Sequence, residues 1–139
     1  MRFILRFDIP QKNRDTVRRC LTDPDIFVSA HPLIWKMESL GTGVYRVFER
    51  VSLGPFSYGF RYKVTVTKSA TGDMVRMNAA VAGLVRLRFE FRLTTKPGGG
   101  VEVQEDVQIT SLLPVGRFMK HLLAEQHAIL FGNIAQSPY

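Results

Sequence analysis

Glu105 is the residue most out of keeping with its neighbours. Val101, Val103, Val107 and Ile109 share its phase in an alternating stretch, so a strand would turn Glu105 to the same side as four aliphatic side chains. A carboxylate placed there is costly unless it is paired, protonated or wet. In a cavity such a group could touch a ligand or move a proton. Two other placements satisfy the same pattern: a β-bulge that turns the side chain outward, and a salt bridge at the open end of the sheet. Tyr45, Tyr58 and Tyr62 are the next candidates, because they fall on one side of two neighbouring stretches. A turn at Leu53-Gly54-Pro55 that pairs Val51 with Phe56 would set Glu49 opposite Tyr58 and Tyr45 opposite Tyr62. Buried hydroxyls need partners, which a mostly apolar ligand pocket with a few polar groups supplies. Rim positions with the hydroxyls in water would satisfy them equally. The facing of Glu49 is ambiguous, since Phe48 occupies the other side.

The remaining reactive residue types form no familiar constellation. His121 and His127 are six apart, on different faces of a helix, and no Asp/Glu/His cluster at ligand spacing accompanies the histidines. Surface or rim positions are expected for the histidines. Cys20 is the sole cysteine and falls on the apolar side of a short helix, so it reads as a buried thiol with no disulfide or zinc role. No cofactor fingerprint, phosphate loop or nucleophile motif is present, and no cofactor is expected.

The elements that would position these residues are mostly strands. Arg2 to Ile9 alternates Phe3, Leu5, Phe7 and Ile9 against polar neighbours and stops at Pro10. Asn13 can cap a helix to about Leu21, and Asp23-Pro24 opens a second short helix that ends before His31-Pro32. From Trp35 the chain reads as a series of strands with turns at Gly41-Thr42-Gly43, Leu53-Gly54-Pro55, Thr71-Gly72-Asp73, Gly83 and Lys96-Pro97-Gly98-Gly99-Gly100. Pro114 opens a long last helix, Val115 to Ile134, whose apolar stripe is Val115, Phe118, Met119, Leu122, Leu123, Ile129, Leu130 and Ile134. Hairpin-length connections imply an antiparallel meander, and the long helix is the one element able to cover its apolar face. Phe60, Tyr62, Met77, Phe89, Phe91, Met119, Leu122 and Leu123 are expected to share one interior.

Length and composition fit one globular domain: 139 residues, 45% hydrophobic. No apolar run approaches the ~20 residues of a membrane span. The N-terminus lacks a signal-peptide pattern, and a cytoplasmic location is expected. The net charge of +7 permits binding to nucleic acid or anionic lipid without requiring it. Arg61, Lys63, Arg76, Arg86, Arg88 and Arg92 fall on the outward phase without the interleaved aromatics that RNA readers use. A register setting Arg92 opposite Glu102 and Arg88 opposite Asp106 would neutralise much of this face. No nucleic-acid partner is expected, and a homodimer is left open.

This order of elements resembles the helix-grip fold of the START and birch-pollen-allergen superfamily, also called SRPBCC, from Phe3 to about Ile134. The local patterns are Leu21-Thr22-Asp23-Pro24, Glu38-Ser39-Leu40-Gly41 with Gly43-Val44-Tyr45-Arg46-Val47, Leu53-Gly54-Pro55, and Pro97-Gly98-Gly99 before the last strand. They look most like the small prokaryotic branch of polyketide-cyclase-like proteins and proteins similar to the G-type subunit of carbon-monoxide dehydrogenase. The resemblance implies an α+β fold in which a curved antiparallel sheet of about seven strands wraps the C-terminal helix, with two short helices after the first strand. It also implies a cavity for a lipid, fatty acid, quinone or polyketide-like molecule. The residues expected to line it are Tyr45, Tyr58, Phe60, Tyr62, Met77, Phe89, Phe91, Glu105, Phe118, Met119, Leu122 and Leu123. A carrier or sensor of a hydrophobic ligand is the favoured function. The alternative is a small cavity enzyme of cyclase or isomerase type, with Glu105 and a tyrosine transferring protons.

Overall fold

Alternating apolar and polar residues build seven strands, joined to three helices, in a computed structural model that describes residues 1–139, the side chain of Leu53 excepted. The order is β1 (Arg2–Ile9), α1 (Arg14–Thr22), α2 (Pro24–Ala30), β2 (Ile34–Gly41), β3 (Val44–Leu53), β4 (Phe56–Lys68), β5 (Met74–Val81), β6 (Val85–Thr95), β7 (Val101–Ser111) and α3 (Gly116–Gln136). The strands form one antiparallel sheet in the order β1-β7-β6-β5-β4-β3-β2. Hairpins make every neighbour pair except β1–β7, which joins the first and last strands. This is the α+β helix-grip architecture. No helix among the described residues is long and apolar enough to cross a membrane.

The short helices begin where side-chain acceptors stand. Asn13 accepts from the Thr16 amide at 2.8 Å, and Asp23 accepts from those of Asp25 and Ile26 at 3.0 and 3.3 Å. Each bond satisfies an amide that the first turn leaves without a partner. Cys20 is buried with Val17 and Leu21 under α1.

Two hairpin registers differ from the expected ones, each by two residues. Leu53 pairs with Phe56, so Val51 faces Tyr58, Glu49 faces Phe60, Val47 faces Tyr62 and Tyr45 faces Val64. Gly54, at φ 60°, takes the first position of a two-residue turn that carries β3 further than expected. In β6–β7, Thr95 pairs with Val101, which sets Thr94 opposite Glu102, Glu90 opposite Asp106, Arg92 opposite Gln104 and Arg88 opposite Gln108. The left-handed Gly99 and Gly100 centre that turn on Gly98. A two-residue slip preserves the face of every side chain, so the inward and outward sets survive. The charge matching does change. Glu90 becomes the hub, with Arg76 at 2.9 Å, Arg92 at 3.6 Å and Arg88 at 3.8 Å, while Arg2 pairs with Asp106.

Helix α3 meets the sheet unevenly. Its C-terminal half is buried through Leu130, Phe131 and Ile134, and Phe131 stacks on Phe7 at 4.7 Å and meets Phe91 edge-on at 5.8 Å. Asn133 donates to the Ala30 carbonyl at 2.9 Å, tying the helix to the end of α2. The expected stripe included Ile129, which is 46% exposed; Gln126, His127 and Phe131 take the inward positions instead. The N-terminal half stands off from the sheet, with Met119 and Leu122 only half buried. That separation opens the cavity.

Candidate ligand cavity

Between the sheet and the N-terminal half of α3 lies a cavity of about 370 Å³. Its walls are almost wholly apolar. β3 and β4 contribute Tyr45, Tyr58, Phe60 and Tyr62; β5 and β6 contribute Met77, Phe89 and Phe91; α3 contributes Phe118, Met119, Leu122 and Leu123. Eleven of the twelve residues expected to line a cavity thus stand around this one, among them the eight expected to share an interior. The cavity has a distinct mouth and floor. Tyr58 and Phe118 are 53% and 54% exposed and still reach the interior, so they form an aromatic rim. The floor is made by His31, Glu49, Gln126 and His127, all buried. At a helical rise of 1.5 Å per residue, His127 lies about 13 Å further along α3 than Phe118.

Glu105 is the exception. Its phase does turn it inward, and it is 0% exposed, but it stands behind the wall rather than in it. Both of its carboxyl oxygens lie within hydrogen-bond distance of Nδ1 of His127, at 2.8 and 2.6 Å. The helix places this ring between Glu105 and the cavity, which no strand pattern could indicate. The pairing also corrects the expectation for the histidines. His31 and His127 are buried on the floor, and only His121 is at the surface, its side chain 87% exposed. A signal for His127 exists in the sequence: it follows Leu123 by four and precedes Leu130 by three, in phase with the buried stripe.

The other floor groups are held as firmly. His31 follows α2, and its Nδ1 accepts from the amides of Leu33 and Ile34 at 3.1 and 3.0 Å. An Nδ1 that accepts carries no proton, so the ring is the Nε2–H tautomer. Burial, and then the nearby His127, push the His31 pKa down to about 3. Tyr62 donates to Oε2 of Glu49 at 2.7 Å, the hydroxyl partner that a buried tyrosine requires. Burial raises the Glu49 pKa against the opposing effects of Tyr62 and His127. Burial, then Glu49, raises that of the Tyr62 phenol well above its ordinary value. Tyr62 therefore partners Glu49 and His127 partners Glu105, so the two groups named for the alternative function, Glu105 and a tyrosine, are not hydrogen-bonded to each other. No cluster of three or more metal-binding side chains occurs among the described residues.

His31 makes stability depend on pH. The unfolded chain protonates it below about 6.5, while the folded ring stays neutral down to about 3. This contribution is fully present above the unfolded value and is lost as pH falls towards the folded one. Asparagine at this position can accept from the same two amides without titrating. In His31→Asn, the fall of unfolding free energy between about pH 6 and pH 4 is expected to be shallower by about 1 kcal/mol per pH unit. Urea melts across that range measure it, and equal slopes would contradict a neutral buried His31.

No family model and no curated protein matches the chain by sequence. Solved structures do match. A conserved protein from Geobacillus kaustophilus superposes with a TM-score of 0.81 at 12% identity, over 98% of this chain and 93% of that one. A START superfamily protein from Mycobacterium smegmatis gives 0.74 at 15% identity, over 97% and 94%. The di-domain ARO/CYC StfQ from the steffimycin biosynthetic pathway gives 0.74 at 10% identity, over 97% of this chain and 49% of that one. The match runs across nearly the whole chain, and its fold is the START-like helix-grip fold.

Proposed function

We propose that this protein binds one hydrophobic small molecule, a lipid, fatty acid, quinone or polyketide-like compound, and serves as its carrier or sensor. The observation that carries the reading is the cavity itself: about 370 Å³ of apolar space with an exposed aromatic rim. Ligand sites fall in this size range and combine apolar walls with a few convergent polar groups. A filled core would bury the same residues without leaving the volume, since protein interiors pack with few voids larger than a water molecule. In this reading Tyr45, Tyr58 and Phe60 contact the ligand near the mouth, while Tyr62 and the histidines meet its polar end.

Filling the space tests the proposal. Leu122 is half buried on the helix side of the cavity. Leu122→Trp is expected to weaken binding of a fluorescent fatty-acid probe at least about tenfold. Its cost in stability should be at the low end of the roughly 1–3 kcal/mol of overpacking, because empty space receives the ring. Unchanged probe affinity would refute binding in this cavity.

A further inference from the structure

The floor of the cavity is over-built for holding grease. His127 presents Nδ1 to Glu105, and His31 takes two backbone amides on Nδ1. In both rings Nε2 has no protein partner among the described residues. No buried side-chain nitrogen or oxygen is left sealed without a hydrogen bond, so both Nε2 atoms open onto the cavity that the two residues line. The ring centroids are 6.3 Å apart with the planes at 79°, an edge-to-face arrangement that sets the two rings side by side on the floor. Phe89, Phe91 and Phe27 pack against the rings at 5.2, 6.2 and 5.5 Å and hold their orientation.

We propose that His127 is a general base and His31 a neutral hydrogen-bond donor, together catalysing proton transfer at carbon next to the carbonyl of a hydrophobic ketone. Glu105 is a positioning residue: it accepts from Nδ1–H of His127, which leaves Nε2 as the lone-pair nitrogen and stabilises the ring when that lone pair takes a proton. Nε2 removes a proton from the carbon α to the carbonyl. The C–H electron pair becomes the new C=C bond, and the carbonyl π pair moves to oxygen, which accepts from Nε2–H of His31. The proton then returns from His127, either to the same carbon or to the far carbon of a conjugated enolate, which isomerises the substrate. Nothing is oxidised or reduced and no co-reactant is consumed. A neutral imidazole suits the donor role because it binds the developing oxyanion without adding a buried charge to the resting site. Among the other floor groups, Tyr62 and Glu49 are engaged with each other. Tyr62 spends its proton on Oε2 of Glu49, which leaves the two histidines as the floor's titratable groups with a nitrogen facing the cavity.

Exchange of α-protons for solvent deuterium reads this activity without knowledge of the natural substrate. The probe is benzyl pentyl ketone in deuterated buffer, with exchange followed by proton NMR and binding measured separately by titration. The wild-type protein is expected to accelerate exchange at least about a hundredfold over Glu105→Gln at saturating probe. Probe affinity should change by less than about threefold, since the substituted amide would stay behind the wall. His127→Gln should reduce exchange to the buffer rate while still binding the ketone. Wild-type exchange no faster than buffer, or equal to that of Glu105→Gln, with the ketone bound, would overturn the catalytic proposal and leave the carrier reading standing. Failure of the ketone and of the fatty-acid probe alike to bind would overturn both.

Discussion

Replacing His127 with leucine is expected to lower the free energy of unfolding by about 3–5 kcal/mol, because it strands a buried carboxylate. Glu105 is fully buried, and Nδ1 of His127 is the partner of both its oxygens. Its strand neighbours on the inward face are Val103 and Val107, which offer no donor. The control is the double variant His127→Leu with Glu105→Leu. Buried pairs replaced by apolar residues of similar volume are often neutral or better, so the double variant should recover most of the loss. Chemical denaturation of the wild-type protein, the two single variants and the double variant closes the cycle. A double variant no more stable than His127→Leu alone would mean that the deficit came from lost packing on Phe89 and Phe91 and not from the stranded charge.

Phe131→Ala should be comparably damaging for a different reason. Phe131 is 2% exposed and lies between Phe7 of β1 and Phe91 of β6, so it fastens the gripped helix to the sheet. Truncating a buried phenylalanine costs about 3–5 kcal/mol, through lost transfer energy and the void left behind. Domains of this kind are stable by only about 5–15 kcal/mol in total, and the thermal midpoint is expected to fall by about 10 °C or more. Phe131 does not line the cavity, so the folded fraction should still bind the fatty-acid probe at low temperature. A drop of less than about 1 kcal/mol would mean that the C-terminal half of α3 is held elsewhere, for instance by the Asn133 contact with Ala30.

The alternation of Phe3, Leu5, Phe7 and Ile9, and of the later strands, determined which side chains face inward, because a strand has a period of two whatever it pairs with. Asn13 and Asp23 determined where the short helices begin, since capping is satisfied within a few residues. The same alternation put Glu105 and the tyrosines in phase with the inward side chains, but a bulge or a rim position satisfied it equally, and only the sheet's regular pairing decided between them. Register was not, because it depended on which residues of the glycine turns took left-handed backbone: Gly54 in one hairpin, Gly99 and Gly100 in the other. Both slips were even, so the faces held while the charge pairs changed, from the expected Arg92–Glu102 and Arg88–Asp106 to the cluster around Glu90. The rotation of α3 was decided by tertiary packing. Its apolar residues extend beyond one stripe, and stacking of Phe131 on Phe7 turned His127 inward and Ile129 outward. Only that rotation brings His127 from the helix onto Glu105 of β7, twenty-two residues away in sequence. The sequence by itself thus determined an apolar interior with a carboxylate in phase with it. The packing of helix on sheet decided that this carboxylate would hold a histidine at the floor of the cavity, because a contact between distant elements depends on helix rotation and sheet curvature, which no local pattern encodes.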